Sequence, residues 1–168
     1  TMVAVVFGAV GTAGQRCTTT RRLIIHESNY EEVKMKLVKA YSQLKIGNPL
    51  DEKNHVGPLI DKQAVKMYQA AIEQAKKEHG KILVEGEVLR GKGFESGCYV
   101  KPCIIEAKNE MNIVQHETFA PILYIMKYKT VQEAIDLQNG VVQGLSSSIM
   151  TANLRAAELF LSVNGSDC

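Results

Sequence analysis

The stretch Gly14-Gln15-Arg16-Cys17-Thr18-Thr19-Thr20-Arg21-Arg22-Leu23-Ile24-Ile25-His26 runs from a polar, cysteine-bearing loop into a short β-branched segment. Arg22 to His26 reads as a strand, because branched side chains are stiff in a helix and suit a pleated surface. Just beyond it Asn29 reads as a helix cap, ahead of Val33, Leu37, Val38 and Tyr41 at helical spacing. That helix is predicted to end near Gly47, with Pro49 beyond it. On the other side, Met2 to Val10 is almost wholly apolar and fits a buried helix or a strand, which periodicity does not separate.

Downstream, strands and amphipathic helices continue to alternate, with no internal repeat. Gly47 to Pro58 is polar and rich in glycine and proline, a surface loop. Ala64, Val65, Tyr68, Ala71, Ile72 and Ala75 share one face of a predicted helix that Gly80 ends. Lys81 to Glu85 is a predicted strand, a glycine-rich stretch follows, and Tyr99 to Glu106 returns as extended chain. Ile122 to Tyr128 is a further strand, Thr130 caps a helix through Leu137, Ser146 to Met150 is a short strand, and Asn153 to Leu161 a last helix. Strands alternating with amphipathic helices imply an α/β layer fold with a largely parallel sheet.

The 168 residues, 45% of them hydrophobic, suffice for one domain with a sizeable core. A formal charge of +2, with the cations spread along the chain, leaves no electrostatic footprint for nucleic acid. No apolar run approaches the ~18 residues that cross a bilayer, and the N-terminus lacks the basic region and cleavage site of a secretory signal. A soluble, cytoplasmic chain with no membrane partner is the expectation. Cys17, Cys98, Cys103 and Cys168 contain no CxxC pair, which argues against a disulfide framework or zinc site. The uncapped apolar opening and the abrupt close at Gly165-Ser166-Asp167-Cys168 are what an excised piece of a longer protein would show.

A free cysteine is most often a buried structural thiol. Around Cys17, however, Gly14 permits tight backbone geometry, Arg16 favours thiolate, and the threonine run suits a dry core poorly. On these residues alone, nucleophile and structural thiol both stand. The second stretch, Gln115-His116-Glu117-Thr118-Phe119-Ala120-Pro121-Ile122-Leu123-Tyr124, sets a His-Glu pair before a strand. Adjacent residues on a strand point apart, so a turn leading into the strand is the simpler reading. His26, His55 and His79 have no partner at ligand spacing, and no metal is expected.

Gly14-Gln15-Arg16-Cys17-Thr18 resembles the nucleophile motif of the NAD(P)-dependent aldehyde dehydrogenase superfamily, and Glu117-Thr118-Phe119-Ala120-Pro121 resembles its second signature. Gly47-Asn48-Pro49 with Gly57-Pro58-Leu59, Tyr99 with Pro102, and Gly144-Leu145-Ser146-Ser147-Ser148 are similar to further family segments in the same order. Most members carry glycine where this chain has Ala120. That departure, Arg16 and the Thr18-Thr19-Thr20-Arg21-Arg22 run are similar to one branch, the antiquitins or α-aminoadipic semialdehyde dehydrogenases.

The resemblance implies the family's three-layer α/β catalytic domain over residues 1–168, without the cofactor-binding domain or oligomerisation element. It implies Cys17 as the catalytic nucleophile, Glu117 and Phe119 as cofactor-binding residues for NAD, and Arg16 as the residue that binds the carboxylate of the semialdehyde substrate. It implies a homotetrameric parent enzyme of lysine catabolism, cytoplasmic or mitochondrial, and a segment inactive by itself. Arg21 and Arg22 are expected to flank the strand and contact protein, and Ser166, Asp167 and Cys168 to lie near the substrate tunnel. Against this stand a non-catalytic α/β assembly module, motivated by the apolar opening, and more weakly a cysteine hydrolase with His116 as base, which nothing in the sequence orients.

Overall fold

The computed structural model describes residues 2–167, so Cys168 and any role for it lie outside the described residues. The apolar opening is a helix, α1 (Met2–Val10), which buries Val5, Ala9 and Val10. After a tight turn at Gly11–Gly14 the chain enters β1 (Arg22–His26), the predicted strand.

Helix α2 (Glu27–Ser42) follows β1 without a loop, and here expectation and structure differ. His26, not Asn29, is the cap: its ring accepts the Ser28 N–H, the task usually given to a Ser or Asp oxygen. The helix also stops well short of Gly47, because the backbone around Lys45 and Gly47 pairs with His55 and Val56 instead of continuing the helical ladder.

Helix α3 (Lys62–Lys77) starts at the Asp61 cap and buries Ala64, Val65, Tyr68, Ala71, Ile72 and Ala75, the predicted face. Its end is a paired closure in which the His79 N–H donates to the Lys76 carbonyl and the Gly80 N–H to the Ala75 carbonyl. The left-handed residue of this closure is His79, φ 67°, and not Gly80.

The remaining elements are β2 (Lys81–Val84), β3 (Cys103–Glu106), the short α4 (Asn112–Gln115), β4 (Ile122–Tyr128), α5 (Val131–Asn139, capped by Thr130 as predicted) and α6 (Leu154–Leu161). The strands form a four-stranded sheet in the order β1-β4-β3-β2. β1 and β3 both run parallel to β4, and β2 is antiparallel to β3.

Ile122, Leu123, Tyr124, Ile125 and Met126 are all buried, so both faces of β4 are covered, as expected of a central parallel strand. Helices α1 and α2 pack on each other and on β4, while α5 packs on β1 and β4. The architecture is α/β with a mostly parallel sheet and flanking helices. Ser146–Met150 forms no strand. Ser146, Ser148 and Met150 are exposed and no described strand pairs with the segment, so β-propensity finds neither ladder nor packing surface.

Candidate active site

Parallel pairing decides where the site lies. β1 and β4 are neighbours running the same way, with Arg22 opposite Tyr124. The loops that enter them, one carrying Cys17 and the other Glu117, must therefore meet at the same end of the sheet. The ladder is joined there by the Tyr124 N–H donating to the Arg21 carbonyl at 2.8 Å. This is the amino end of the strands, whereas open α/β sheets usually bind ligands at the carboxyl end.

The cysteine loop leaves α1 through consecutive left-handed residues: Thr12 (φ 51°), Ala13 (φ 53°) and Gly14 (φ 70°). Such a conformation costs a non-glycine residue about 1–2 kcal/mol, and strain of this kind concentrates at functional segments. Gly14 is required for a second reason. A Cβ there would sit 2.3 Å from the Ala120 carbonyl oxygen and 2.6 Å from the Pro121 nitrogen, so the two motifs touch backbone to backbone.

Beyond Gly14 a turn closes, with the Thr19 N–H donating to the Arg16 carbonyl at 3.1 Å and the Arg16 N–H to Thr19 Oγ1 at 3.0 Å. Cys17 occupies the second position of that turn and is exposed. Among the described residues its N–H has no acceptor, so thiol and amide are both available to a ligand.

Cys17, Glu117 and Thr118 border one groove of about 1230 Å³ that runs along β1. The Glu117 side chain is 38% exposed. Phe119 is partly buried beside it, with the Arg21 guanidinium 4.8 Å from its ring centroid. Arg16 is exposed, its guanidinium 5.5 Å from the Phe7 ring, and no carboxylate among the described residues pairs with it. The structure thus brings Cys17 and Glu117 to a shared groove, whereas Arg16, over Phe7, and Phe119 are not among the residues that line it.

The other thiols contrast with this one. Cys103 lies buried in β3, and burial pushes its pKa up to about 12, which makes it inert; Cys98 is partly buried. His116 borders the groove, but no described side chain orients it, so a cysteine-hydrolase pair does not form. No group of three or more His, Cys, Asp or Glu among the described residues could hold a metal, and no described helix is long and apolar enough to cross a membrane.

The sequence reading missed Gln15. Its Oε1 accepts the Ile60 N–H at 2.8 Å and its amide donates to the Pro58 carbonyl at 3.4 Å, tying the cysteine loop to the Gly57-Pro58-Leu59 segment. The signal was that both segments belong to the same ordered set of motifs. Arg22 anchors the start of β1 to Asn109 Oδ1 and to the Leu137 and Gln138 carbonyls, the protein contact expected of it.

The Cys17 loop leaves α1 through left-handed residues, packs by Gly14 on the Glu117 loop at the end of a mostly parallel sheet, and holds an exposed thiol on an α/β domain. Residues 1–163 match the aldehyde dehydrogenase family, and the chain belongs to that family. It is 49% identical over 163 residues to alpha-aminoadipic semialdehyde dehydrogenase of Rattus norvegicus, an alignment covering 96% of this chain and 30% of that one. Over 165 residues it is 46% identical to aldehyde dehydrogenase family 7 member A1 of Malus domestica, covering 98% and 32%. Betaine aldehyde dehydrogenase of Staphylococcus aureus, solved in complex with NAD+, superposes with a TM-score of 0.89 at 26% identity, covering 94% of this chain and 31% of that one. The chain spans about a third of the length of the curated relatives it matches.

Proposed function

We propose that this chain is the nucleophile-bearing domain of an NAD-dependent dehydrogenase that oxidises α-aminoadipic semialdehyde to its carboxylic acid. The observation that carries this reading is the backbone docking of Gly14 on Ala120 and Pro121, which sets an exposed Cys17 and the Glu117 carboxylate on one groove. The Cys17 thiolate attacks the aldehyde carbon and forms a thiohemiacetal. Negative charge develops on the former carbonyl oxygen, and the Cys17 N–H, without an acceptor among the described residues, is a donor for it. NAD, held by Glu117 and Phe119, would supply the hydride acceptor for this carbon. Water then hydrolyses the Cys17 thioester, which releases the acid and restores the thiol.

Glu117 and Phe119 fit the nicotinamide-ribose end of such a cofactor. A half-exposed carboxylate has acceptor oxygens for two sugar hydroxyls, and the ring offers an apolar wall. Arg16 fits the substrate's distal carboxylate, since a guanidinium fork grips carboxylate with paired hydrogen bonds and no acid among the described residues pairs with it. The second oxyanion donor and the base that activates water are assigned to parts of the enzyme outside these 168 residues.

Two expected results test this reading. The isolated 168-residue polypeptide gives no steady NADH production with semialdehyde and NAD, followed by absorbance, whereas the full-length enzyme does. In the full-length enzyme, Arg16→Ala lowers kcat/KM for the carboxylate-bearing aldehyde about 10–100-fold relative to an uncharged aldehyde of equal length. An unchanged ratio would remove Arg16 from substrate recognition.

A further inference from the structure

Arg21 stands one residue before β1, and its guanidinium reaches both loops of the site. Nη1 donates to the Thr118 carbonyl at 2.5 Å, across 97 residues of sequence. Nη2 donates to the Arg16 carbonyl at 3.2 Å and to the Gly14 carbonyl at 3.4 Å, on either side of the segment leading to Cys17. The same plane lies 4.8 Å from the centroid of the Phe119 ring, an attractive cation–aromatic distance. Nε faces Glu117 Oε1 at 3.6 Å, longer than a hydrogen bond, and has no acceptor among the described residues.

These contacts assign distinct tasks to one side chain. The fork fixes the spacing of the two loops, because a planar guanidinium cannot satisfy three carbonyls on two segments unless those segments hold one relative position. Its face fixes Phe119. Its charge holds Glu117 near, and the carboxylate, which has two oxygens, keeps acceptor capacity for another partner. The Arg21 side chain is only 17% exposed, so water weakens these contacts little. Burial pulls its pKa down and the Glu117 charge opposes this, but an arginine remains protonated.

We propose that Arg21 is a positioning residue that locks the Cys17 loop to the Glu117–Phe119 loop and presents Glu117 and Phe119 to the bound cofactor. This rests on the function proposed above; among the described residues no hydrogen bond joins the Arg21 side chain to the Cys17 thiol.

The test uses the full-length enzyme with Arg21→Met and Arg21→Lys, each read for the KM of NAD, kcat and the iodoacetamide rate at Cys17. Arg21→Met is expected to raise the KM for NAD by about tenfold or more, with a smaller loss in kcat, and to change the Cys17 alkylation rate several-fold. Arg21→Lys, which keeps the charge without the fork, is expected to fall between parent and Arg21→Met. Glu117→Gln raises the KM for NAD by itself, and adding Arg21→Met to it is expected to cost less than Arg21→Met costs alone, because both act through the same carboxylate.

Values within twofold of the parent for both Arg21 variants, or independent effects of Arg21→Met and Glu117→Gln, overturn the proposal. If Arg21→Met does not fold, the Arg21→Lys comparison decides alone. If the parent fails to oxidise aldehydes with NAD, the functional reading falls separately. Faster hydrogen exchange at Ala120, whose N–H is held by the Thr118 carbonyl at 2.8 Å, then still tests the Arg21 lock.

Discussion

Cys17→Ser in the full-length enzyme is expected to cut turnover of semialdehyde and NAD by at least about 10³-fold while leaving the KM for NAD close to its parent value. A serine hydroxyl fits the same turn, because the Arg16–Thr19 bonds that shape it use no Cys17 atom. It is nevertheless almost wholly protonated near neutral pH and a poor nucleophile without a base beside it. No described side chain supplies one: His116 borders the groove without a partner to orient it. Cys98→Ser, in a partly buried loop away from the groove, is expected to leave turnover unchanged. Steady-state NADH absorbance checks both, and a Cys17→Ser enzyme within tenfold of its parent would remove the thiol from the chemistry.

Gly14→Ala carries the largest expected loss of stability. The new methyl meets the Ala120 carbonyl oxygen at 2.3 Å and carbon at 2.4 Å, backbone atoms with no rotamer to swing away, at a φ of 70° that alanine disfavours. The conformational cost is about 1–2 kcal/mol and the overpacking cost about 1–3 kcal/mol, so a total of about 2–5 kcal/mol is expected in urea unfolding. Gly93→Ala separates the two contributions. Its φ is 89°, but nothing lies within 4 Å of the added carbon, and only the conformational cost of about 1–2 kcal/mol is expected. Equal losses at the two positions would mean that the contact between the motifs does not bear on stability.

The amphipathic face of α3 was legible because all six predicted positions follow from 3.6-residue periodicity, and each is buried. β4 was legible because a continuous apolar run after a proline suits a strand covered on both sides. The Asn29 cap failed because the strand ends in a histidine whose ring performs the capping, a role that side-chain statistics seldom give it. The Ser146–Met150 strand failed for lack of a described neighbour, which no local pattern reveals.

At the site, residue types left Cys17 open between nucleophile and structural thiol, and family resemblance pointed to Cys17, Glu117, Phe119 and Arg16. What holds them together was hidden. Gln15 reaches Pro58 across 43 residues of sequence and Arg21 reaches Thr118 across 97, and such ties exist only once distant segments have been brought together, as β1 and β4 bring the loops of Arg21 and Thr118. Polar side chains that serve backbone carbonyls leave no motif of their own.

The central chemical claim is that substrate becomes bonded to Cys17 sulfur. Full-length enzyme mixed with semialdehyde and NAD, quenched in acid within the first turnovers and digested, is read by peptide mass. The expected result is an acyl group of the substrate's mass on the peptide containing Cys17, removed by hydroxylamine as a thioester would be. Continuing turnover with that peptide unmodified, or with the acyl group on a different residue, would contradict the account.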